Sequence, residues 1–578
     1  MDNLYRTPGH NHNAIELHGV TVAWDGDTLL VHDATQMIAP SANALAKLFG
    51  LKPGQVRVLS PFVGGGFGGK GLWDHQIVAI AAARLAGRPV RLVLDREGVY
   101  RMIGGRTPSE QRVALGADAD GRFTALIHTG YSIMPTYGAC PEQFSLSARA
   151  LYSSKSFEIV QRHIDLAIVP NTYMRAPGEA IGTFAVECAV DELAHAMAID
   201  PIELRRRNEP ERHPIHGDAF SQRALTKAYA DGAARFGWER RAATPGTRRE
   251  GEWRIGMGCA SGSFPYARMP GANVRLTLHG DGSATLASSA QEMGMGTATV
   301  QVQHAADRLG LPVEAVRFDM GDSALPAGPM AGGSSQTVSI AAAIMAATDK
   351  LVSELLRLAG NDSPLAGLRA ADVRLIDGGV ASTEDNGRHE SYRSILARAA
   401  RDAVTVTGTG SAPLEMLKFA MHSTSAMFCE LRVSDVTGEI RVDRLLGSFD
   451  CGTILNPKTA ASQFRGGMIM GLGLALTEET LFDERSGRIM NATLADYHVP
   501  VHLDVPEIEV MWTGIPDPRS PLGARGIGEI GITESPPRSP TPYSTPPASA
   551  CVTCRSRSTS CFEGQAVPTA PVNRNGRA

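Results

Sequence analysis

Glu529 is the residue in this sequence best suited to proton chemistry. It is the one carboxylate in the loop ARGIGEIGIT (residues 524–533), and its neighbours are glycine and isoleucine. Such surroundings desolvate a carboxyl, raise its pKa and make it a usable base near neutral pH. Three more glycine-rich segments precede it: VGGGFGGK (63–70), QEMGMGT (291–297) and AGPMAGGSSQT (327–337). Glycine lets a backbone approach a ligand closely and present successive N–H groups, and a helix that starts after such a turn attracts anions. Taken singly, each segment reads first as a tight strand–helix turn. No nucleotide motif is met: VGGGFGGK ends in Gly-Lys like a phosphate loop, but Gly71 stands where the magnesium-binding Ser or Thr belongs. The run GGFGG also lacks the glycine spacing of a dinucleotide fold.

Other polar groups read as structural. Cys140, Cys188, Cys259, Cys429 and Cys451 lie far apart in apolar or glycine-rich stretches, as reduced buried thiols do. Cys551 and Cys554 form a lone C-x-x-C with no second pair nearby. His10 and His12, in GHNHN, lack a third ligand and read as a polar strand edge, and His195 lies on a long apolar helix. Glu203 with Arg205, Arg206 and Arg207 reads as the solvated end of a helix. Nothing here predicts direct protein ligation of a metal.

The elements that must position these groups follow from periodicity. Strands are predicted over 28–32, 56–59, 90–94, 273–279, 315–318, 427–433 and 440–449, and helices over 74–86, 181–198, 297–309, 338–359 and 466–476. This is an α+β pattern with no short-period repeat. The polar stretch 239–252 reads as a linker, giving a first domain over 1–245 and a second over 246–533. From 534 to 578 the chain is rich in Pro, Ser, Thr, Arg and Cys without apolar period, and is expected to be disordered. Synonymous codons for residues 534–545 can be chosen that, read two bases later, spell Val-Ala-Ala-Ala-Ile-Ala-Asn-Ala-Val-Phe-His, an apolar helix. The expectation is a frameshift near Thr533 with a native C-terminal helix lost.

Across 578 residues, 56 Lys and Arg face 60 Asp and Glu, a net charge of -4 that argues against nucleic-acid or membrane-surface binding. No run of about 18 apolar residues is present, and the N-terminal residues lack the order of a signal peptide. The chain is expected in the cytoplasm, or in the periplasm if a signal-bearing partner carries it.

In order along the chain, the glycine loops together with DATQ (33–36), MRAPGE (174–179), DCGTILNP (450–457) and SQFRGGMIMGLG (462–473) resemble the molybdopterin-binding large subunit of the molybdenum hydroxylases, the xanthine dehydrogenase and aldehyde oxidase family. The resemblance runs from Tyr5 to Thr533. GDSALPAGPMAGGSSQT and FDCGTILNPKTAASQFRGG are most like the bacterial aldehyde oxidoreductases. It implies two large mixed domains with the cofactor at their interface, without the α/β domain that usually precedes them. It implies further that molybdenum is held by a pterin dithiolene and not by the protein, with the cofactor in its cytosine dinucleotide form.

On this resemblance Gln36 and the N–H of Phe67, between Gly66 and Gly68, face the metal's oxo group, and Arg175 contacts the pterin as a planar fork. Gln291, Gly294, Gly296, Gly332, Gly333, Ser334, Ser335 and Gln463 cradle pterin and pyrophosphate. Glu529 takes the proton of the hydroxide that attacks an aldehyde carbon, with oxygen derived from water. Arg149, in SARAL, falls near the family's substrate arginine. Electrons pass to iron–sulfur clusters and FAD on partner subunits, since the cysteines here lack four-ligand spacing. Gly71 replaces the second active-site glutamate of purine-oxidising members and Pro177 their stacking phenylalanine, which disfavours purines. Met295 replaces a common glutamine, and no cysteine loop of the carbon monoxide dehydrogenases is found. The alternatives are hydroxylation of an N-heterocycle, and an inactive, truncated or frameshifted fragment of such a subunit.

Overall fold

The computed structural model describes residues 1–138, 140–385 and 387–533. The expected disorder and frameshift over 534–578, with Cys551 and Cys554, lie outside the described residues.

Val20 and Val22 face inward with Thr21 outward, and Leu29 and Val31 repeat the alternation, so Gly19–Asp25 and Thr28–Asp33 form a hairpin with one buried face. Val56–Leu59 joins this hairpin in parallel on one side, and Val90–Val93 antiparallel on the other. Helices Ile38–Leu48 and Asp74–Ala86 close over it through Ile38, Leu45, Ala79 and Ile80.

The same order of elements recurs between residues 273 and 409. Asn273–His279 and Ala284–Ala287 pair antiparallel, Val316–Asp319 adds in parallel, and Ala403–Thr409 closes the other side antiparallel. Helices Thr297–Leu309 and Gln336–Ala359 take the places of the two earlier ones.

Each unit is inserted between the first two strands of a larger sheet. Asp2–Thr7, Ser109–Ala117, Phe123–Pro135 and Phe157–Leu166 pair antiparallel, antiparallel and parallel in turn. Trp253–Pro265, His422–Ser434, Ile440–Asp450 and Glu507–Trp512 do the same, with Arg249–Glu250 added at the edge. The described chain is therefore a tandem repeat of one α+β topology. After the last strand of each copy comes an arm with the pattern R-x-x-G-E: Arg175 to Glu179 in the first, Arg525 to Glu529 in the second.

The repeat is invisible to periodicity because its period exceeds two hundred residues and its strands share little beyond hydrophobic alternation. Three local expectations are corrected. Arg205 is not on a solvated face: it is 1% exposed and pairs with Glu187 and Asp191, whereas Arg206 and Arg207 do sit outside on Glu203. His10 and His12 are buried, not at a strand edge, with His10 against Glu478. The helix expected over 466–476 runs Pro457–Leu476, since the Asn456 side chain caps Lys458 and Thr459 and Pro457 opens the first turn. Helix Leu225–Phe236 packs on the second large sheet through Tyr229 and Phe236 against Phe428, so the crossing between copies comes ahead of the polar 239–252 stretch.

Candidate active site

The two inserted units meet through their loops. Ser60 N–H donates to the Gly321 carbonyl (2.7 Å), Glu292 N–H to the Pro61 carbonyl (3.0 Å) and Val63 N–H to the Glu292 carbonyl (2.8 Å). Gln36 and Gln291, equivalent in the repeat, interlock: Gln36 Nε2 donates to the Ala331 carbonyl (2.7 Å), and the Gln291 amide donates to the Gln36 carbonyl. Gln36 Oε1 accepts the N–H groups of Gly68 (3.0 Å) and Lys70 (3.3 Å), so its amide braces the loop 63–70 against the loop 327–337.

That first glycine loop is fixed from behind. Lys70, without side-chain exposure, reaches Glu16 at 2.5 Å, and Glu16 also accepts the Gly64 N–H. Phe67 has φ of 54° and its carbonyl accepts the Arg175 N–H (2.8 Å). Gly68 must be glycine, because a Cβ there would overlap the Tyr173 carbonyl oxygen. His12 Nε2 bonds that same carbonyl at 2.7 Å, with burial lowering the imidazole to about 4, so it is a neutral donor.

The arm 174–179 is set by a buried cation. Arg106 donates to the carbonyls of Met174 (3.1 Å), Arg175 (2.6 Å) and Ala176 (3.3 Å) and pairs with Glu142 at 2.5 Å, while Glu142 accepts the Gly178 N–H. These bonds hold Ala176 in a left-handed conformation, φ of 54°, that an alanine does not adopt unaided. Arg175 is then aimed into the second copy: Nε to the Gly528 carbonyl (2.6 Å) and Nη2 to the Gln463 carbonyl (2.7 Å). Gln463 Nε2 reaches the Gly294 carbonyl at 3.4 Å. Burial lowers the guanidinium to about 10, with Glu529 acting against that shift.

Glu529 sits where the arms and loops converge. The short turn Ile530–Ile532 anchors it, with Ile530 and Ile532 packed on Phe464 and Met468. That packing needs Gly467, where a Cβ would stand 2.6 Å from the Gly531 carbonyl carbon. Glu529 Oε2 accepts the Ser334 hydroxyl (2.7 Å) and Oε1 the Ala176 N–H (3.3 Å). Burial raises its carboxyl above the ordinary range, and the Ser334 hydroxyl, the Ala176 N–H, Arg175 and Arg106 pull it partly back. Gly294, Gln463 and Arg175, and from the next residue Ala176 through Glu529 to Ser334, thus form one run of contacts across both copies. What this arrangement can do is hold a base poised in a partly buried site, with amides and a guanidinium around it.

Gly294 and Gly333 have positive φ, and a Cβ on Gly294 would meet nothing within 4 Å, one on Gly333 only a Met269 methyl at 3.8 Å. Both therefore border open space. Gln291 Oε1 and both amide atoms of Gln336 are buried without a partner among the described residues. Of these, the Gln336 Nε2 donor, beside the glycine turn at the start of Gln336–Ala359, fits a polar anionic group such as a pterin phosphate, while the two amide oxygens are acceptors and fit a donor such as a pterin N–H. The N–H groups of Gly294 (2.8 Å) and Gly296 (2.9 Å) are themselves taken by Glu292. Ser335 closes its own turn on the Gly332 carbonyl.

Arg149 is not drawn into this constellation. Its guanidinium bonds Ser145 Oγ at 3.3 Å, and its field reaches His128 and His213. The residues that sequence reasoning missed are the ones that hold others: Arg106, Glu142, His12 and Glu16. Arg106 carried a local signal only in retrospect, as a lone arginine between Gly104-Gly105 and a strand.

The site and the doubled fold define a cofactor-binding oxidoreductase subunit, and comparison with known proteins specifies which. Residues 1–209 and 231–506 each match a molybdopterin cofactor-binding domain. The chain is 36% identical over 536 residues to the aldehyde oxidoreductase molybdenum-binding subunit PaoC of Escherichia coli (strain K12), covering 92% of this chain and 71% of that one. It is 29% identical over 556 residues to the xanthine dehydrogenase molybdenum-binding subunit of Escherichia coli O157:H7, covering 91% of this chain and 72% of the relative. Among solved structures, quinoline 2-oxidoreductase from Pseudomonas putida 86 superposes with a TM-score of 0.83 at 23% identity, over 93% of this chain and 72% of that one. The chain belongs to the molybdopterin-binding large subunits of the molybdenum hydroxylase family. No helix among the described residues is long and apolar enough to cross a membrane.

Proposed function

We propose that this chain is the catalytic subunit of an enzyme that oxidises aldehydes to carboxylates, taking the new oxygen from water, with Glu529 as the base. The overall change is aldehyde plus water to carboxylic acid, two protons and two electrons. When bound, the molybdenum–pterin group, in its cytosine dinucleotide form, supplies the two-electron acceptor and activates the water. Phe67, Arg175, Gly332, Gly333 and Gln463 would hold it, and Gln36 and Gln291, whose amides are interlocked in the interior, would support them from behind. Glu529 receives the proton that water gives up, at a carboxylate kept basic by burial and oriented by Ser334 and Ala176. Arg106 fixes the turn that supplies the Ala176 N–H, and Arg175 ties that turn to the Gly528 and Gln463 carbonyls. The electrons leave for iron–sulfur and FAD-binding subunits, in keeping with the relatives' designation as molybdenum-binding subunits. Gly71 and Pro177, in place of a glutamate and a stacking phenylalanine, leave purines without two of their contacts, and a small aldehyde needs neither.

The partly buried Glu529 carboxylate, held on both oxygens at the junction of the copies, carries this reading. Glu529→Gln should lower turnover by about 10²- to 10⁴-fold, the range for loss of a general base, with molybdenum per chain unchanged. A variant that loads molybdenum and keeps its turnover would overturn the assignment. Aromatic aldehydes should be oxidised, and purines and isoquinoline should not.

A further inference from the structure

The first copy carries a second carboxyl at the position equivalent to Glu529, and it is placed differently. Glu179 opens helix Glu179–Ala196 and is 2% exposed, and both of its carboxyl oxygens are buried without a partner among the described residues. Its neighbours Ala176 and Ala180 pack in one apolar cluster with Ile530 and Ile532, so the two arms lie against each other. Ser334 gives Glu529 a hydroxyl; the equivalent residue of the first copy, Phe67, has none to give. The charged groups in reach of Glu179 are the carboxyls of Glu529 and Glu142 and the guanidinium of Arg106. Arg106 is already bonded to Glu142 and to three carbonyls.

We infer that Glu179, buried, and Glu529, partly buried, form a carboxyl pair holding one negative charge between them, with Glu179 the protonated member that leaves the charge to Glu529. An ionised carboxylate with no hydrogen bond from any other residue, facing two other carboxylates, is the least tolerable arrangement available in that interior, and a proton on Glu179 removes it. Burial above all, and then the field of Glu529 and Glu142, push the Glu179 carboxyl well above its ordinary range, with its own backbone N–H and Arg106 opposing. Two such groups titrate as a unit, and environments that separate them assign one as the base. Glu179 is thus a positioning residue: it acts on the reaction through the charge of Glu529. Its catalytic consequence rests on Glu529 being the base, while the division of charge does not.

The test is infrared spectroscopy on the full-length protein, purified as it assembles. At neutral pH the wild type should show a protonated-carboxyl C=O band that Glu179→Gln loses. In Glu529→Gln the band should remain, and the pH at which it titrates should fall by about one unit, because the neighbouring charge is gone. A band unchanged in Glu179→Gln, or a titration midpoint unmoved in Glu529→Gln, overturns the pair. If Glu179→Gln does not fold, the midpoint in Glu529→Gln decides by itself. Failure of aldehyde oxidation would leave these bands where they are, so the two claims fail separately.

Discussion

The arms Arg175–Glu179 and Arg525–Glu529 share a pattern and a place in the repeat, and they do opposite work. Arg525 is fully buried in its own copy, 2.6 Å from Asp450 and 3.8 Å from Asp517, and it also donates to the carbonyls of His422 (2.6 Å) and Gln222 (3.0 Å). Arg175 has no carboxylate of its own copy and reaches across to carbonyls of the other. The carboxyls reverse the roles, since Glu529 accepts hydrogen bonds from Ser334 and Ala176 and Glu179 accepts none from another described residue. One copy thus lends its arginine to the site and keeps its acid silent; the other lends its acid and keeps its arginine as a structural pin. A duplicated fold yields an asymmetric site when equivalent positions differ in partner rather than in residue type.

Exchanging each arginine for methionine should expose that division most strongly. Arg525→Met strands Asp450 and Asp517 in the interior, and breaking such a buried pair costs about 3–5 kcal/mol. Arg175→Met leaves two carbonyls without a donor and should cost only about 1–3 kcal/mol. Denaturant midpoints of the two variants measure the difference, and equal losses would dissolve the comparison. Arg175→Met should instead raise the Glu529 carboxyl, because the guanidinium counters its burial.

Ser334→Ala sharpens the contrast on the acid side. It makes the second copy resemble the first, where Phe67 offers no hydroxyl. The lost hydrogen bond favoured the ionised form of Glu529, so the carboxyl should rise and the acid limb of kcat/KM should move to higher pH. A bond of ~1 kcal/mol corresponds to roughly 0.7 unit of that shift. An acid limb at its old position would mean that Ser334 only fills space.

Much of this site was legible before folding, for a specific reason. Glycine and a solitary carboxylate are conspicuous as residue types, so the loops at 63–70, 291–297 and 327–337 and Glu529 could be picked out without knowing their neighbours. Helices 74–86 and 297–309 and the strand 273–279 were likewise written in local periodicity. What sequence could not show is which charges are interior. Arg205 reads as one of three surface arginines until Glu187 and Asp191 arrive from the preceding helix, and Arg106 has no signature until Glu142 and the 174–176 carbonyls surround it. The repeat stayed hidden because only its connectivity, and the R-x-x-G-E arms, are shared. Arg149, picked from a thin motif, hydrogen-bonds Ser145 in its own short helix.

The smallest effect follows from Glu179 in the stability of the fold. Its folded carboxyl is raised above the ordinary value of 4.5. Between that value and the raised one, the folded chain binds more protons than the unfolded chain. The stability contributed by the protonated form is therefore complete below the ordinary value and lost as pH rises through the folded one. Glu179→Gln keeps the shape of the neutral acid and cannot ionise, so that loss should be missing. Melting temperatures measured from mildly acidic to alkaline pH should fall less steeply in Glu179→Gln than in the wild type, the two curves separating from the ordinary value of 4.5 upward until the folded carboxyl has ionised. Parallel curves throughout would place Glu179 in the ionised form already in the folded protein. The two arms would then differ in hydrogen bonding alone and not in charge.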